Sequence, residues 1–256
     1  MQSSVKICEE ERLLGVSLTG IMDNELTAYP TPDMLEDFKK VAVKTNEEWA
    51  KKLNINPSSA ITCVKPSGTV SQLCNSASGI HARHSEYYIR RVRMDGKDPL
   101  CKFMEAKGFP CEVDVMNNSN MVFSFPMQSP SKSIMRNDML AIEQLVTWTM
   151  FADHWCEHKP SVTINVKKDE WFEVGTFVYE HFDEMSGVSF LPYNEHTYQQ
   201  APYQEIDKEE YKNILSTMPK TIDWSRLSEY EKEDTTTSSQ TMACTGDVCE
   251  VVDIGA

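Results

Sequence analysis

The chain has 256 residues, a length that suits one large domain or two small ones. Hydrophobic residues make up 40% and charged residues 25%, a composition typical of a globular protein, and no apolar run approaches the length of a membrane span. The net charge of −14 disfavours DNA, RNA and anionic membranes as partners. A single nucleotide is not excluded, because it needs only a few converging cations and dipoles.

The cysteines indicate a reducing compartment. Eight are present, and a chain of this length does not need disulfides to fold. The first residues also lack the apolar core of a signal peptide. We therefore expect a cytoplasmic protein. The cysteines lie at positions 8, 63, 74, 101, 111, 156, 244 and 249.

Candidate strands alternate with candidate helices along the chain. Strands are predicted near 16–19, 61–65, 121–125, 161–166 and 188–191, and residues 85–93 also alternate as a strand does. Helices are predicted from an N-cap at Asp33 to about 53, then at 100–107, 139–155 and 169–185. The alternation predicts an α/β fold with about five largely parallel strands.

One loop is a candidate phosphate site. The β-branched run at 61–64 leads through Lys-Pro-Ser-Gly-Thr (65–69) into a helix that begins near residue 70. Backbone N–H groups at such a corner can bind a phosphate, and the helix dipole adds positive potential. The candidate binding residues are Pro66, Ser67, Gly68 and Thr69: Gly68 allows close approach, and the two hydroxyls can donate. The alternative is a plain strand-to-turn junction in which Pro and Gly only end the strand.

The C-terminal segment carries a pair of cysteines. From residue 229 the sequence is charged and then rich in Thr and Ser, which predicts a flexible tether. Cys244 and Cys249 are separated by four residues that include Gly246, so both sulfurs can reach disulfide geometry. Such a pair can exchange with a buried disulfide and then with an external reductant. The alternatives are two inert cysteines or, less favoured, a zinc site that lacks two further ligands.

Two other clusters have structural explanations. His-Trp-Cys-Glu-His at 154–158 fits the H-x-x-E-H pattern of some zinc proteases, but a polar helix end is favoured and no metal site is predicted. A basic cluster could bind phosphate or carboxylates, and a solvated strand face explains it equally well. Its members are His81, Arg83, His84, Arg90, Arg91 and Arg93.

Several blocks resemble a known family. The blocks are Lys-Pro-Ser-Gly-Thr (65–69), Ala-Ser-Gly-Ile-His (77–81) and Tyr-Tyr-Ile-Arg-Arg-Val-Arg (87–93), joined by residues 12–23, 187–193 and 196–203. Together they resemble the adenosylcobalamin-dependent (class II) ribonucleotide reductases, above all the monomeric ribonucleoside-triphosphate reductases. The resemblance covers roughly the C-terminal third of such an enzyme.

The resemblance implies a fold, a cofactor and an activity. Residues 1–228 would form the second half of a ten-stranded α/β barrel, and residues 229–256 a redox tail. With adenosylcobalamin as cofactor, a thiyl radical would start the reduction of ribonucleotides, expected to be triphosphates, to 2′-deoxyribonucleotides. Residues 66–69 would hold the substrate phosphates. Cys244 and Cys249 would re-reduce the active-site disulfide, with thioredoxin or a similar dithiol protein behind them.

One family block is missing from the sequence. The radical cysteine of the family lies in Asn-x-Cys-x-Glu, whereas Cys8 lies in Lys-Ile-Cys-Glu-Glu without the Asn. We therefore expect this chain to need the N-terminal half of a reductase as partner and to be inactive alone. The alternatives are part of a class I large subunit, or a non-catalytic nucleotide-binding module.

Overall fold

The structure is a computed structural model that describes residues 2–68, 70–193 and 198–232. Cys244 and Cys249 therefore lie outside the described residues, as does Thr69. No helix in the described ranges combines the length and the apolar composition needed to cross a bilayer.

The described residues form eight α-helices and eight strands. The helices are α1 (Gln2–Glu11), α2 (Glu25–Ala28), α3 (Pro32–Leu53), α4 (Val70–Leu73), α5 (Pro99–Ala106), α6 (Ala141–His154), α7 (Trp171–Glu180) and α8 (Lys208–Thr217). The strands are β1 (Val16–Ser17), β2 (Thr62–Cys63), β3 (Tyr87–Asp95), β4 (Cys111–Val113), β5 (Asn120–Gln128), β6 (Val162–Val166), β7 (Val188–Pro192) and β8 (Tyr203–Glu205).

The chain divides into two compact units. The first unit comprises residues 1–83 and 132–193, and it contains the candidate phosphate loop. The second unit comprises residues 84–131 and 194–256. The mixed α/β class predicted from the sequence is confirmed.

Parallel strand pairs organise the first unit. β1 pairs with β2 in the register Val16↔Thr62, and β6 pairs with β7 in the register Val162↔Val188. One apolar core joins α6 and β6, where Leu145, Trp148 and Ile164 are all at most 2% exposed. Burial of these side chains is the main stabilising contribution, about 1.5–3 kcal/mol for each large apolar residue.

An antiparallel sheet organises the second unit. Its strand order is β4-β5-β3-β8, with β3 at the centre paired to β5 in the register Val92↔Phe123. The rings of Phe103 on α5 and Trp224 lie 5.5 Å apart between centroids. Ile214 of α8 packs with a second group of buried residues that includes Ile89 of β3.

Two sequence predictions need correction. Four of the five predicted strands are parallel-paired, but the strand near 121–125 belongs to the antiparallel sheet, so "largely parallel" holds only for the first unit. The N-cap of α3 is Thr31, whose hydroxyl accepts from the N–H of Met34 at 3.3 Å. Asp33 lies within the first turn, because Pro32 occupies the first helical position, where its missing N–H costs nothing.

Candidate functional site

The candidate phosphate loop begins where two parallel strands end. β1 ends at Ser17 and β2 at Cys63, and the Ser17 hydroxyl accepts from the N–H of Lys65 at 3.1 Å. The loop of residues 65–68 therefore lies beside the residues that follow β1. In open α/β sheets the carboxyl ends of parallel strands are the usual place for a ligand.

Hydrogen bonds from Ser71 and Ser78 give this loop its shape. The carbonyl of Pro66 accepts from the Ser78 hydroxyl, and the carbonyl of Ser67 accepts from the hydroxyl and N–H of Ser71. Ser67 has φ +31°, a conformation that L-residues rarely adopt and that often marks a ligand site. Gly79 has φ +54° and lies so close that a Cβ there would overlap the carbonyl oxygen of Lys65.

The loop carries unused backbone donors. No hydrogen bond among the described residues uses the N–H of Ser67 or of Gly68. α4, which follows the loop, has only four residues, so its dipole contributes little. The loop can therefore bind an anion through these N–H groups, as the sequence predicts, while the expected helix contribution is small.

Thr19, which follows the end of β1, holds the loop by hydrogen bonds. Its hydroxyl lies 3.1 Å from the Ser67 hydroxyl, donates to the carbonyl of Ala77 at 3.0 Å and accepts from the N–H of Gly79 at 3.0 Å. These contacts join the segment after β1, the candidate phosphate loop and the turn at 77–79. No sequence motif by itself predicts this role of Thr19.

An ion pair between the buried Arg83 and the half-buried Asp23 supports the same turn. Arg83 is 3% exposed and its Nε lies 2.7 Å from Oδ1 of Asp23, whose Oδ2 accepts from the N–H of Ala77 at 2.7 Å. Burial raises the pKa of Asp23, but hydrogen bonds from Arg83, Ala77 and Ser133 and the charge of Arg83 outweigh it, so the pKa lies below 3.8. Asp23 is ionised at neutral pH, and the pair fixes the turn.

His81 is fixed on both sides of its ring. Nδ1 lies 2.9 Å from the carbonyl oxygen of Ser78, and Nε2 accepts from the N–H of Thr163 on β6 at 3.0 Å. Since an N–H points at Nε2, the proton is on Nδ1 and the imidazole is neutral. His81 therefore ties the turn at 77–79 to β6.

The basic cluster predicted from the sequence is divided between the units. His81 and Arg83 belong to the first unit, whereas His84, Arg90, Arg91 and Arg93 belong to the second. In the second unit Arg90 stacks 4.4 Å from the ring centroid of Tyr203, and the Nε of Arg93 lies 3.2 Å from Oδ2 of Asp114. These guanidinium groups make structural contacts in the sheet.

The H-x-x-E-H residues have separate partners. His154 lies 3.0 Å from Oε1 of Glu36, and His158 lies 2.9 Å from the carbonyl oxygen of Leu14. Glu157 accepts from the N–H groups of Ile61 and Thr62 at 2.8 and 3.2 Å. The carboxylate thus caps the start of β2, a structural role for this segment.

Two internal cysteines are poor nucleophiles. Burial, together with the neighbouring Cys63, raises the pKa of Cys156 to about 12. Burial and the charge of Glu105 raise the pKa of Cys101 to about 11. Because the thiolate is the reactive form, these thiols are almost unreactive at neutral pH.

The exposed and the buried cysteines should therefore differ in their rate of alkylation. At pH 8 very little of the Cys156 thiol is ionised, so iodoacetamide should modify the exposed Cys8 and Cys74 long before Cys156 and Cys101. Peptide mass spectrometry over a time course measures each rate, and the same reaction in denaturant is the control. Modification of Cys156 as fast as Cys74 in the folded protein would contradict the burial described above.

Known proteins match the chain over most of its length. No family model matches the sequence. The chain is 28% identical over 240 residues to the adenosylcobalamin-dependent ribonucleoside-triphosphate reductase of Lactobacillus delbrueckii subsp. bulgaricus, covering 81% of this chain and 32% of that protein. It is 27% identical over 239 residues to the protein of that name from Lactobacillus acidophilus, with the same coverage. The crystal structure of a B12-dependent (class II) ribonucleotide reductase matches with a TM-score of 0.73 and 25% identity, over 91% of this chain and 36% of that chain.

The resemblance to class II ribonucleotide reductases is confirmed. The chain spans about a third of the length of the curated relatives that it matches. Sequence blocks that carried the resemblance meet in the first unit: Thr19 and Asp23 from 12–23, Ser67 from 65–69, and Ala77 and Gly79 from 77–81. Membership of these blocks was the only sequence signal that could have identified Thr19 and Asp23.

Proposed function

We propose that this chain forms part of an adenosylcobalamin-dependent ribonucleotide reductase that converts ribonucleoside triphosphates to 2′-deoxyribonucleotides. The observation that carries the proposal is the candidate phosphate loop: in a chain similar to class II reductases, residues 65–68 follow a parallel strand pair and present two unused N–H groups. An anion-binding corner fits a substrate that carries phosphates.

In this proposal Pro66, Ser67, Gly68 and Thr69 hold the substrate phosphates. The described donors are the N–H groups of Ser67 and Gly68, which no other group in the described residues uses. Ser67 is held in its left-handed conformation by Ser71 and Thr19, so both donors are positioned before the substrate arrives. Preorganised donors reduce the entropy lost on binding.

Cys244 and Cys249 are proposed as the internal reductant. Reduction at C2′ replaces a hydroxyl by hydrogen, releases water and takes two electrons from a dithiol, which becomes a disulfide. The Cys244–Cys249 pair would reduce that disulfide by thiol–disulfide exchange and become oxidised in turn. Thioredoxin or a similar cytoplasmic dithiol protein would then restore the pair.

Adenosylcobalamin is proposed as a cofactor of the whole enzyme, where it would generate the radical. The imidazoles of His81, His154 and His158 already contact the protein, and the described ranges contain no group of His, Cys, Asp and Glu suited to a metal ion. We therefore assign no cobalamin contact to a residue of this chain.

The partner proposed for the chain is the other half of the catalytic barrel. The parallel-paired strands β1, β2, β6 and β7 of the first unit are proposed as barrel strands within residues 1–228. Asn-x-Cys-x-Glu is not found in this sequence. The radical cysteine would come from the partner, and the two parts together would form the active site.

Reconstitution with the partner tests this function. Mixed with a polypeptide that carries the N-terminal two-thirds of a class II reductase, the chain should support deoxyribonucleotide formation in the presence of adenosylcobalamin and thioredoxin. Cys244→Ser should limit product to a single turnover, because the active-site disulfide could form once but not be re-reduced. Cys74→Ser, at an exposed cysteine, is the matched control and should turn over repeatedly. The absence of product from the mixture would instead favour a non-catalytic nucleotide-binding module.

A further inference from the structure

The three hydrogen bonds of Thr19 fix the direction of each proton. A hydroxyl has one proton and two lone pairs. The Ala77 carbonyl, 3.0 Å away, cannot donate, so Thr19 donates to it; the N–H of Gly79, also 3.0 Å away, cannot accept, so Thr19 accepts from it. The Thr19 proton is then used, and in the 3.1 Å contact between the hydroxyls Ser67 is the donor.

Ser67 is therefore tethered through its own hydroxyl proton. While that proton points at Thr19, it cannot also be donated to a phosphate. The backbone of Ser67 remains available: its carbonyl is held by Ser71, and its N–H and that of Gly68 are unused among the described residues. The left-handed φ of Ser67 also needs local support, because this conformation is strained for a residue with a Cβ.

We propose that Thr19 is a positioning residue for the candidate phosphate loop, and that the Ser67 hydroxyl ties the loop to Thr19 instead of binding the phosphate. The phosphate is bound by the N–H groups of Ser67 and Gly68, which this tether holds in place. The proposal deepens the function proposed above and rests on it for the identity of the ligand. The positioning role itself is a property of the ligand-free fold.

A ligand-free measurement tests the positioning role. In ¹⁵N-labelled protein, Thr19→Val should speed amide hydrogen exchange of Gly79 about three- to tenfold, because the Gly79 N–H loses its acceptor and one hydrogen bond contributes an effect of this size. Thr19→Ser keeps the hydroxyl and should leave the rate unchanged. Thr45→Val removes a hydroxyl that donates to the Val41 carbonyl on α3 and is the matched control. An unchanged Gly79 rate in Thr19→Val would overturn the proposal.

A double-mutant cycle tests the role of the Ser67 hydroxyl, with CTP as the probe and the Gly68 amide shift as the readout. Thr19→Val and Ser67→Ala should each weaken CTP binding about three- to tenfold. The double variant should bind CTP as well as either single variant, because both substitutions remove the same hydrogen bond. If the losses of CTP affinity in the two single variants multiplied in the double variant, the Ser67 hydroxyl would bind the phosphate itself, which would overturn the proposal.

A separate outcome concerns the proposed function. If CTP does not shift the Gly68 amide even in the unmodified chain, while Gly79 exchange responds to Thr19→Val, the positioning role is supported and the phosphate-binding function fails.

Discussion

Asp23→Asn is expected to lower the free energy of unfolding by about 3–5 kcal/mol, because it leaves the charge of a buried arginine without its counter-ion. Arg83 is 3% exposed and Asp23 is its bidentate partner, with N–O distances of 2.7 and 3.0 Å. The carboxylate also accepts from the Ser133 hydroxyl at 2.9 Å. Urea denaturation followed by circular dichroism measures the change.

An exposed ion pair provides the control. Asp37 and Lys40 on α3 lie 3.2 Å apart with side chains 72% and 70% exposed, so Asp37→Asn should cost at most about 0.5 kcal/mol. Equal effects of the two substitutions would show that the Asp23–Arg83 pair is not buried in solution.

Acid should reveal the same pair. Because the pKa of Asp23 is lower in the folded protein than its ordinary value of 3.8, the ionised carboxylate stabilises the fold. That contribution is complete above the unfolded pKa and is lost as the pH falls through the lower folded pKa. Below pH 4 the difference in stability between the unmodified protein and Asp23→Asn should shrink as the pH falls.

Gly79→Ala is expected to destabilise the protein by about 2–4 kcal/mol, the sum of a left-handed conformation and a steric overlap. Gly79 has φ +54°, and its Cβ would overlap the backbone carbonyl of Lys65, which cannot move without displacing the candidate phosphate loop. Loss of CTP binding should accompany the loss of stability. Thermal unfolding and the Gly68 amide shift measure the two effects.

Substitutions at two other glycines separate the conformational cost from the steric overlap. Gly108 has φ +79° and no atom within 4 Å of the place that a Cβ would occupy, so Gly108→Ala should cost only the conformational part, about 1–2 kcal/mol. Gly175 lies in α7 with no neighbour within 4 Å of its Cβ position, so Gly175→Ala should stabilise by about 0.5–1 kcal/mol. If Gly79→Ala lowered the free energy of unfolding no more than Gly108→Ala, the close approach of Gly79 to the Lys65 carbonyl would be disproved.

Local patterns predicted the elements well where the signal lies within the element. Apolar residues at helical spacing indicated α3, and Lys51 and Lys52 lie in its last turn. The β-branched residues of β6 indicated a buried strand, of which Ile164 is 0% exposed. These signals are local because side-chain direction repeats every 3.6 residues in a helix and every two in a strand.

Strand pairing was not predictable in the same way. The run at 121–125 reads as a strand in either orientation, since its apolar residues do not specify a partner. It pairs antiparallel with β3 on one side and with β4 on the other. The direction of pairing depends on residues elsewhere in the chain.

The sequence by itself determined where the candidate phosphate loop lies, because proline, serine and glycine in that order bend the backbone whatever surrounds them. Apart from their place in the block at 12–23, it contained no signal for the contacts of Thr19 and Asp23, which lie 48 and 60 residues from Ser67 and Arg83. The pairing of β1 with β2 brings Thr19 to Ser67, and the turn at 77–79 brings Asp23 to Arg83. A hydrogen bond acts over about 3 Å, so its partners are decided by the tertiary fold and leave no periodic signal in the sequence.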